Sequence, residues 1–291
     1  MNKYTKVIYK SKAGSVVFFA PGDIWIESIS GLETDVEIGT TQTVGQLGCT
    51  IDSQSVQPKT VTVNGCIVSN IESRRAQLLA VVLPLEPAKL IFEQDGESWY
   101  LQGFPRKTPA LSDGLRPQHF QFQFFCPYPY LRTLNDKTYQ LSGLSALWET
   151  PFTVGPHSIS SYSAGAFVPV ANSGSVPQAF LLDIYAAAEV VNPAVYNIEA
   201  GTHIKINKTL APGEKFYIST HEEDKDRGSA YVYVDAQGNE HNGFRYITLD
   251  SDLSMRVAPG GSTFSLQAAE GSNVSNCRCK LITAGGEKHG I

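Results

Sequence analysis

Residues 89–132 read KLIFEQDGESWYLQGFPRKTPALSDGLRPQHFQFQFFCPYPYLR, and the fold is decided here. Asp95-Gly96 stands between two apolar-alternating runs, KLIFEQ and ESWYLQGF. Both turn residues tolerate positive φ, so the pair marks a two-residue β-hairpin. Pro105, Pro109 and Pro117 punctuate the next segment. Each removes a backbone donor, which weighs against a helix or a central strand there. HFQFQFF then alternates strictly: Phe120, Phe122 and Phe124 share one face, and His119, Gln121 and Gln123 share the other. The three rings are therefore expected in a core. Pro127 and Pro129 end the strand, so the stretch is expected to close one β-domain and lead stiffly out to the next.

Working outward, 291 residues suffice for about two domains, each large enough to bury its own core. Charged residues are 18% and apolar residues 42%, a globular balance rather than a disordered one. The formal net charge of −5 argues against a protein that grips nucleic-acid phosphates, which needs a basic face. No run of about 18 apolar residues marks a membrane span. The opening MNKYTKVIYK has no apolar leader segment, so the chain is expected to be made in a cytoplasm with Cys49, Cys66, Cys126, Cys277 and Cys279 reduced and mostly buried.

Upstream of the deciding stretch, Lys6–Tyr9, Ser15–Phe19 and Ile24–Ile29 read as strands, and Glu33–Ile38 as a fourth, with Pro21-Gly22-Asp23 a turn. TTQTVGQLGCTIDSQSVQPK, residues 40–59, reads as a long polar loop, either plain surface or a segment that a partner orders. TVTVNGCIV, residues 60–68, is a strand. Asn70 is placed as the N-cap of a helix whose Ile71, Leu78, Leu79 and Val82 recur at helical spacing until Pro84 stops it.

After Arg132 the texture changes, and the domain boundary is placed at 1–135 and 136–291. Residues 134–166 read as a Ser-rich linker. Short strands then recur between Gly- and Pro-bearing turns: 167–171, 179–187, 196–198, 203–206, 215–220, 229–234, 244–249, 255–257, 263–268 and 277–283. That spacing indicates a sandwich, with no helix after residue 140.

Motifs that carry chemistry are missing: no nucleophile elbow, phosphate loop or dinucleotide fingerprint is present. His221-Glu222 opens like a zinc helix, but Lys225 stands where the second His is needed. HEEDKDRG, residues 221–228, lacks the alternate-ligand spacing of a calcium loop and reads as a solvated hairpin tip. Trp99, Trp148 and the tyrosines could stack on a sugar, but Trp99 and Tyr100 are strand neighbours facing opposite ways, so at least one is assigned to a core. No catalytic or metal-binding residue and no cofactor is assigned.

GQLG leading to TVTVNGCIV, then a helix, LPLEP, the KLIFEQDGESWYLQGF hairpin, a proline loop and FFCPYPYLR resemble the N-terminal domain of phage distal tail (Dit) proteins. In the second half, Val170-Ala-Asn172-Ser-Gly174 with Pro177, LAPGEKFYI, YVYVDAQGNEHNG and RVAPGGSTFSL are similar to that family's C-terminal domain. The resemblance implies a mainly β chain: an N-terminal β-sandwich-like domain with one helix, and a galectin-like or carbohydrate-module-like C-terminal β-sandwich. It implies a non-enzymatic virion component at the distal end of the tail, six copies forming a ring between the tail tube protein and the hub or tip protein. The acidic balance suits a lumen that passes DNA without holding it. The alternatives are a module binding host surface glycans, or another baseplate or hub component.

Overall fold

The computed structural model describes residues 6–94, 96–113, 117–146, 160–163, 167–271, 277–283 and 286–288. The chain divides into two compact units, one comprising residues 1–134 with 288–291 and the other residues 135–287.

The first unit contains β1 (Lys6–Ser11), β2 (Gly14–Phe18), β3 (Ile24–Ser30), β4 (Val36–Thr41), β5 (Thr50–Val56), β6 (Lys59–Ile67), α1 (Ile71–Val81), β7 (Ala88–Gln94), β8 (Glu97–Pro105), β9 (Ala110–Leu111), β10 (Gln118–Cys126) and β11 (Leu131–Thr133). Its main sheet runs β2-β1-β7-β8-β10-β6-β3. The edge strands β2 and β3 are joined by a five-residue turn in which the Phe19 amide donates to the Ile24 carbonyl at 3.1 Å. The sheet must therefore curl until its edges meet. The curl faces distant strands towards each other: Tyr9 of β1 meets Phe122 and Phe124 of β10 edge-on, at 5.9 and 6.0 Å. Phe120, Phe122 and Phe124 are buried, as the alternation requires, and Trp99 is buried too. The hairpin holds its register, with Gln94 opposite Glu97 and Gly96 at φ 84°, while Asp95 lies outside the described residues.

Gly65 lets β3, β6 and β10 come this close. A Cβ there would lie 2.2 Å from the Trp25 carbonyl oxygen and 2.6 Å from the Phe120 ring. β3 bulges at the same place, pairing Ile26 with Gly65 and Ser28 with Asn64.

The helix packs Leu78, Val81 and Val82 into the core, but Asn70 does not cap it. Asn70 is in the left-handed region at φ 50° and makes no side-chain cap bond. Its side-chain Nδ2 donates instead to the Asp23 carboxylate at 3.3 Å. Asp23 also accepts from Ser69 and from Arg74, whose Nε and Nη2 each approach to 2.8 Å. The helix start is thus tied to the 21–23 turn by side chains from several positions rather than by a cap.

The second unit contains β12 (Lys137–Ala146), β13 (Ser160–Ser163), β14 (Val168–Val170), β15 (Phe180–Ala186), β16 (Val190–Val191), β17 (Ala194–Asn197), β18 (Thr202–Lys205), β19 (Thr209–Leu210), β20 (Lys215–Ser219), α2 (Glu222–Asp226), β21 (Tyr231–Val234), β22 (Glu240–Asn242), β23 (Ser262–Gln267) and β24 (Cys277–Thr283). A seven-stranded sheet, β13-β12-β24-β15-β20-β21-β22, and a four-stranded sheet, β14-β23-β17-β18, contribute to one apolar core. Phe180 of the larger sheet meets Phe264 of the smaller edge-on at 5.3 Å. Asn172, from the quoted 170–174 motif, is buried between chain segments. It donates to the Val176 and Val257 carbonyls at 2.8 and 3.0 Å and accepts from the Gly174 amide at 2.8 Å.

Four expectations are corrected. Part of the Ser-rich linker is β12, with Leu141 and Ser142 fully buried and Ser142 donating to the Cys277 carbonyl at 2.7 Å. The 221–228 run is not a hairpin tip but contains α2, pinned by Glu222 to Lys225 at 3.0 Å and to Arg256 at 2.6 Å. Residues 244–246 form a 3-10 turn rather than a strand. Val257 makes only an isolated bridge with Gln178. Trp148 lies outside the described residues.

Candidate functional site

The largest correction falls on residues 40–59. The expected loop is the far half of an arm: β4 and β5 pair with each other alone, as a separate two-stranded sheet. Every residue of β5 is exposed, as is every residue of β4 except Gly39. The base is held by the Gln57 amide on the Asp35 carbonyl at 2.9 Å, and by the Gln57 side chain on Glu37 and Ser55 at 2.9 and 2.8 Å. Gln46 ties the tip, accepting from Thr43 N and Oγ1 at 3.1 and 3.0 Å and donating to Thr50 at 3.1 Å. Six to seven residues at about 3.3 Å each extend the arm by roughly 20 Å before its tip.

The two faces of the arm differ. Val36 pairs with Val56, Ile38 with Gln54 and Thr40 with Ile51, so these six side chains share one face. The other face carries Glu37, Ser55, Gly39, Ser53, Thr41 and Thr50. In a regular strand Ile51 and Val56, five residues apart, would point to opposite sides. The register shift between Gly39 and Thr40 leaves Asp52 unpaired and brings Ile51 back onto the apolar face. Thr41 donates to the Asp52 carboxylate and so holds the bulge.

A lone two-stranded ribbon is marginal in water. Val36, Ile38, Ile51 and Val56 are 39–55% exposed, and Val44 and Leu47 at the tip are wholly so. Covering what remains open on the four face residues is worth about 1 kcal/mol each, and burying Leu47 about 2 kcal/mol more. The sequence showed this segment's length and polarity, but alternation across a bulge breaks parity, and that hid the ribbon.

The proline loop, also expected to be available for contacts, is tied back onto its own strand. β9 pairs with β10, the Ser112 amide donates to the His119 carbonyl at 2.9 Å, and Gln118 donates to the Ser112 carbonyl at 3.0 Å. Residues 114–116 lie outside the described residues. Cys66, Cys126, Cys277 and Cys279 are buried, and burial pushes the Cys126 thiol up to about 12 and Cys277 to about 11. Cys49 is exposed near the arm tip. Among the described residues no three His, Cys, Asp or Glu side chains gather where they could hold a metal ion, and no helix is long and apolar enough to cross a membrane.

No family model and no curated protein matches the chain. A solved structure does: the Dit protein of phage SPP1, described as a paradigm of the hub adsorption apparatus in Gram-positive infecting phages. It is similar at a TM-score of 0.63 and 12% identity, over 95% of this chain and 98% of that one. The fold is that of a phage distal tail (Dit) protein. Two structures of the phage P2 baseplate in its activated conformation, with Ca and with Sr, also align over 95% of this chain and 97% of theirs. Their identities are 12% and 11% and their TM-scores 0.44 and 0.46. In this Dit-like fold, Val44 and Leu47 of the arm are the most exposed large apolar side chains among the described residues of the first unit.

Proposed function

We propose that this chain is a structural component of a phage tail end, without catalysis, in which the first unit builds a closed ring of six copies. The ring would join the tail tube protein to the hub or tip protein, and the second unit would face outward. The likeness in fold to SPP1 Dit across nearly the whole chain supports the tail role. One observation carries the assembly: the ribbon β4–β5 exposes an apolar face that its own unit does not cover. In a heterologous ring each subunit's arm meets a different surface of its neighbour, so a ribbon reaching roughly 20 Å fits that need. An arm laid on a neighbour would also cover its own unpaired strand edges.

The test is the native mass of the purified chain and of a variant lacking Thr41–Ser55. A six-copy species that becomes monomer on deletion supports the reading. Rings that survive the deletion remove the arm as assembly element, and a three-copy species favours a hub instead.

A further inference from the structure

The first unit has a sheet face that its own core does not use. In β1 and β7, Val7, Tyr9, Leu90 and Phe92 point into the core, so the residues between them form the opposite face. Strand register arranges that face in rows. Val17, Ile8, Ile91 and Tyr100 make an apolar row across β2, β1, β7 and β8. Lys10 and Lys89 stand opposite each other in the next row. Neighbouring strands lie about 4.8 Å apart, so each row across the four strands is about 14 Å long.

Like charges directly opposite on a sheet destabilise it. Among the described residues no carboxylate lies within ion-pair distance of Lys10 or Lys89. Both are exposed, and Lys89 stands 4.3 Å over the Tyr100 ring, with exposed Lys12 in the adjoining turn. The arm has the opposite charge. From Ala13 to Pro58 the chain has no Lys, Arg or His, and Glu33, Asp35, Glu37 and Asp52 are all exposed on the arm or at its base. The outer face of β3, β6 and β10 is a poorer match for an acidic, apolar ribbon. There Gln121 donates to Asn64 at 2.8 Å and Asn64 to Ser28 at 3.0 Å, so the polar groups are already paired, and Glu27 adds an acid beside them.

We propose that the arm of a second copy of this chain lies across the face of β2, β1, β7 and β8, its Val36, Ile38, Ile51 and Val56 on the apolar row and its carboxylates offsetting Lys10 and Lys89. This rests on the ring reading and adds to it the surface that receives the arm. A ribbon of roughly 20 Å spans the row with its tip to spare. A ribbon is one backbone thick, so its carboxylates lie about 10 Å from the lysines, within the reach of a field in dilute salt. Apolar contact holds the arm, and charge selects the face on which it lands.

The test reads the native mass of the full chain in dilute salt and the rate at which its lysines are acylated. In the six-copy species Lys10 and Lys89 are expected to react at least tenfold more slowly than in the variant lacking Thr41–Ser55. Lys10→Glu with Lys89→Glu turns the face negative. Asp35→Lys, Glu37→Lys and Ser53→Lys together turn the arm positive and leave Asp52 at its bulge. Each variant alone should lose the six-copy species at least tenfold, because every contact then joins like charges. An equal mixture should restore it with three copies of each, because every arm then meets a face of opposite sign. That restoration also shows that both variants are folded. An unaltered chain that stays monomeric overturns the ring reading and this one with it. Three results overturn this reading and leave the ring standing: Lys10 and Lys89 reacting as fast in the six-copy species as in the deletion variant, either charge variant assembling alone like the unaltered chain, or a mixture that restores nothing.

Discussion

The rings of Phe18 and Phe120 lie 5.7 Å apart and tilted by 30°, although β2 and β10 stand four places apart in one sheet. Only a sheet curled on itself brings them together. Phe120, Phe122, Phe18 and Tyr9 form the aromatic layer between its two halves.

Phe122 sits in the middle of that layer, 2% exposed. Phe122→Ala is expected to destabilise the first unit by about 3–5 kcal/mol through lost burial and the cavity left behind. Urea unfolding followed by hydrogen exchange at β6 and β10 amides should show the loss confined to the first unit. A loss below about 1 kcal/mol would mean that the layer is not the core.

Tyr9 offers the opposite sign. Its hydroxyl is buried and has no partner among the described residues, and desolvation raises its pKa. Tyr9→Phe keeps the ring contacts and removes the orphan oxygen. It should stabilise the first unit by about 1 kcal/mol or leave it unchanged. A loss above about 1 kcal/mol would show that the hydroxyl is satisfied after all, as by a buried water.

This layer was legible in the sequence because strict alternation over 119–124 leaves only one assignment of faces, and a two-residue Asp-Gly turn fixes the hairpin register. Other parts were hidden for physical reasons. Asn70 has the chemistry of a cap, but its partner is Asp23, 47 residues away in sequence, and spacing cannot reveal that. Residues 222–226 have no apolar periodicity, so their helical turn rests on Glu222 meeting Arg256 from a distant segment. The arm's bulge inverts the alternation that would have marked β5.

Asn70 tests the corrected helix start. At φ 50°, Gly should be tolerated apart from the lost amide contact, whereas a β-branched residue meets the full left-handed penalty. Asn70→Val is expected to cost about 1–2 kcal/mol more than Asn70→Gly. An Asn70→Val loss no larger than that of Asn70→Gly would contradict the left-handed start.

Asp23 supplies a pH dependence. Hydrogen bonds from Ser69, then from Arg74 and Asn70, hold its carboxyl below the usual range. The folded pKa therefore lies below the unfolded value of about 3.9. The contribution is present above that value and is lost as pH falls through the folded one. Asp23→Asn should lower the urea midpoint at pH 7 and lose part of the acid dependence below about pH 4. A variant with unchanged acid dependence would contradict the role given to Asp23 at the helix start.

In the proposed assembly, the apolar face of β4–β5 builds the ring. Native mass spectrometry of the full chain beside two arm variants tests it most directly. The apolar-face variant is Ile38→Asn with Ile51→Asn, and the polar-face variant is Ser53→Ala with Ser55→Ala. The predicted result is a six-copy species for the unaltered chain and the polar-face variant, and monomer for the apolar-face variant. A chain that is monomeric throughout, or an apolar-face variant that still forms the six-copy species, would contradict it.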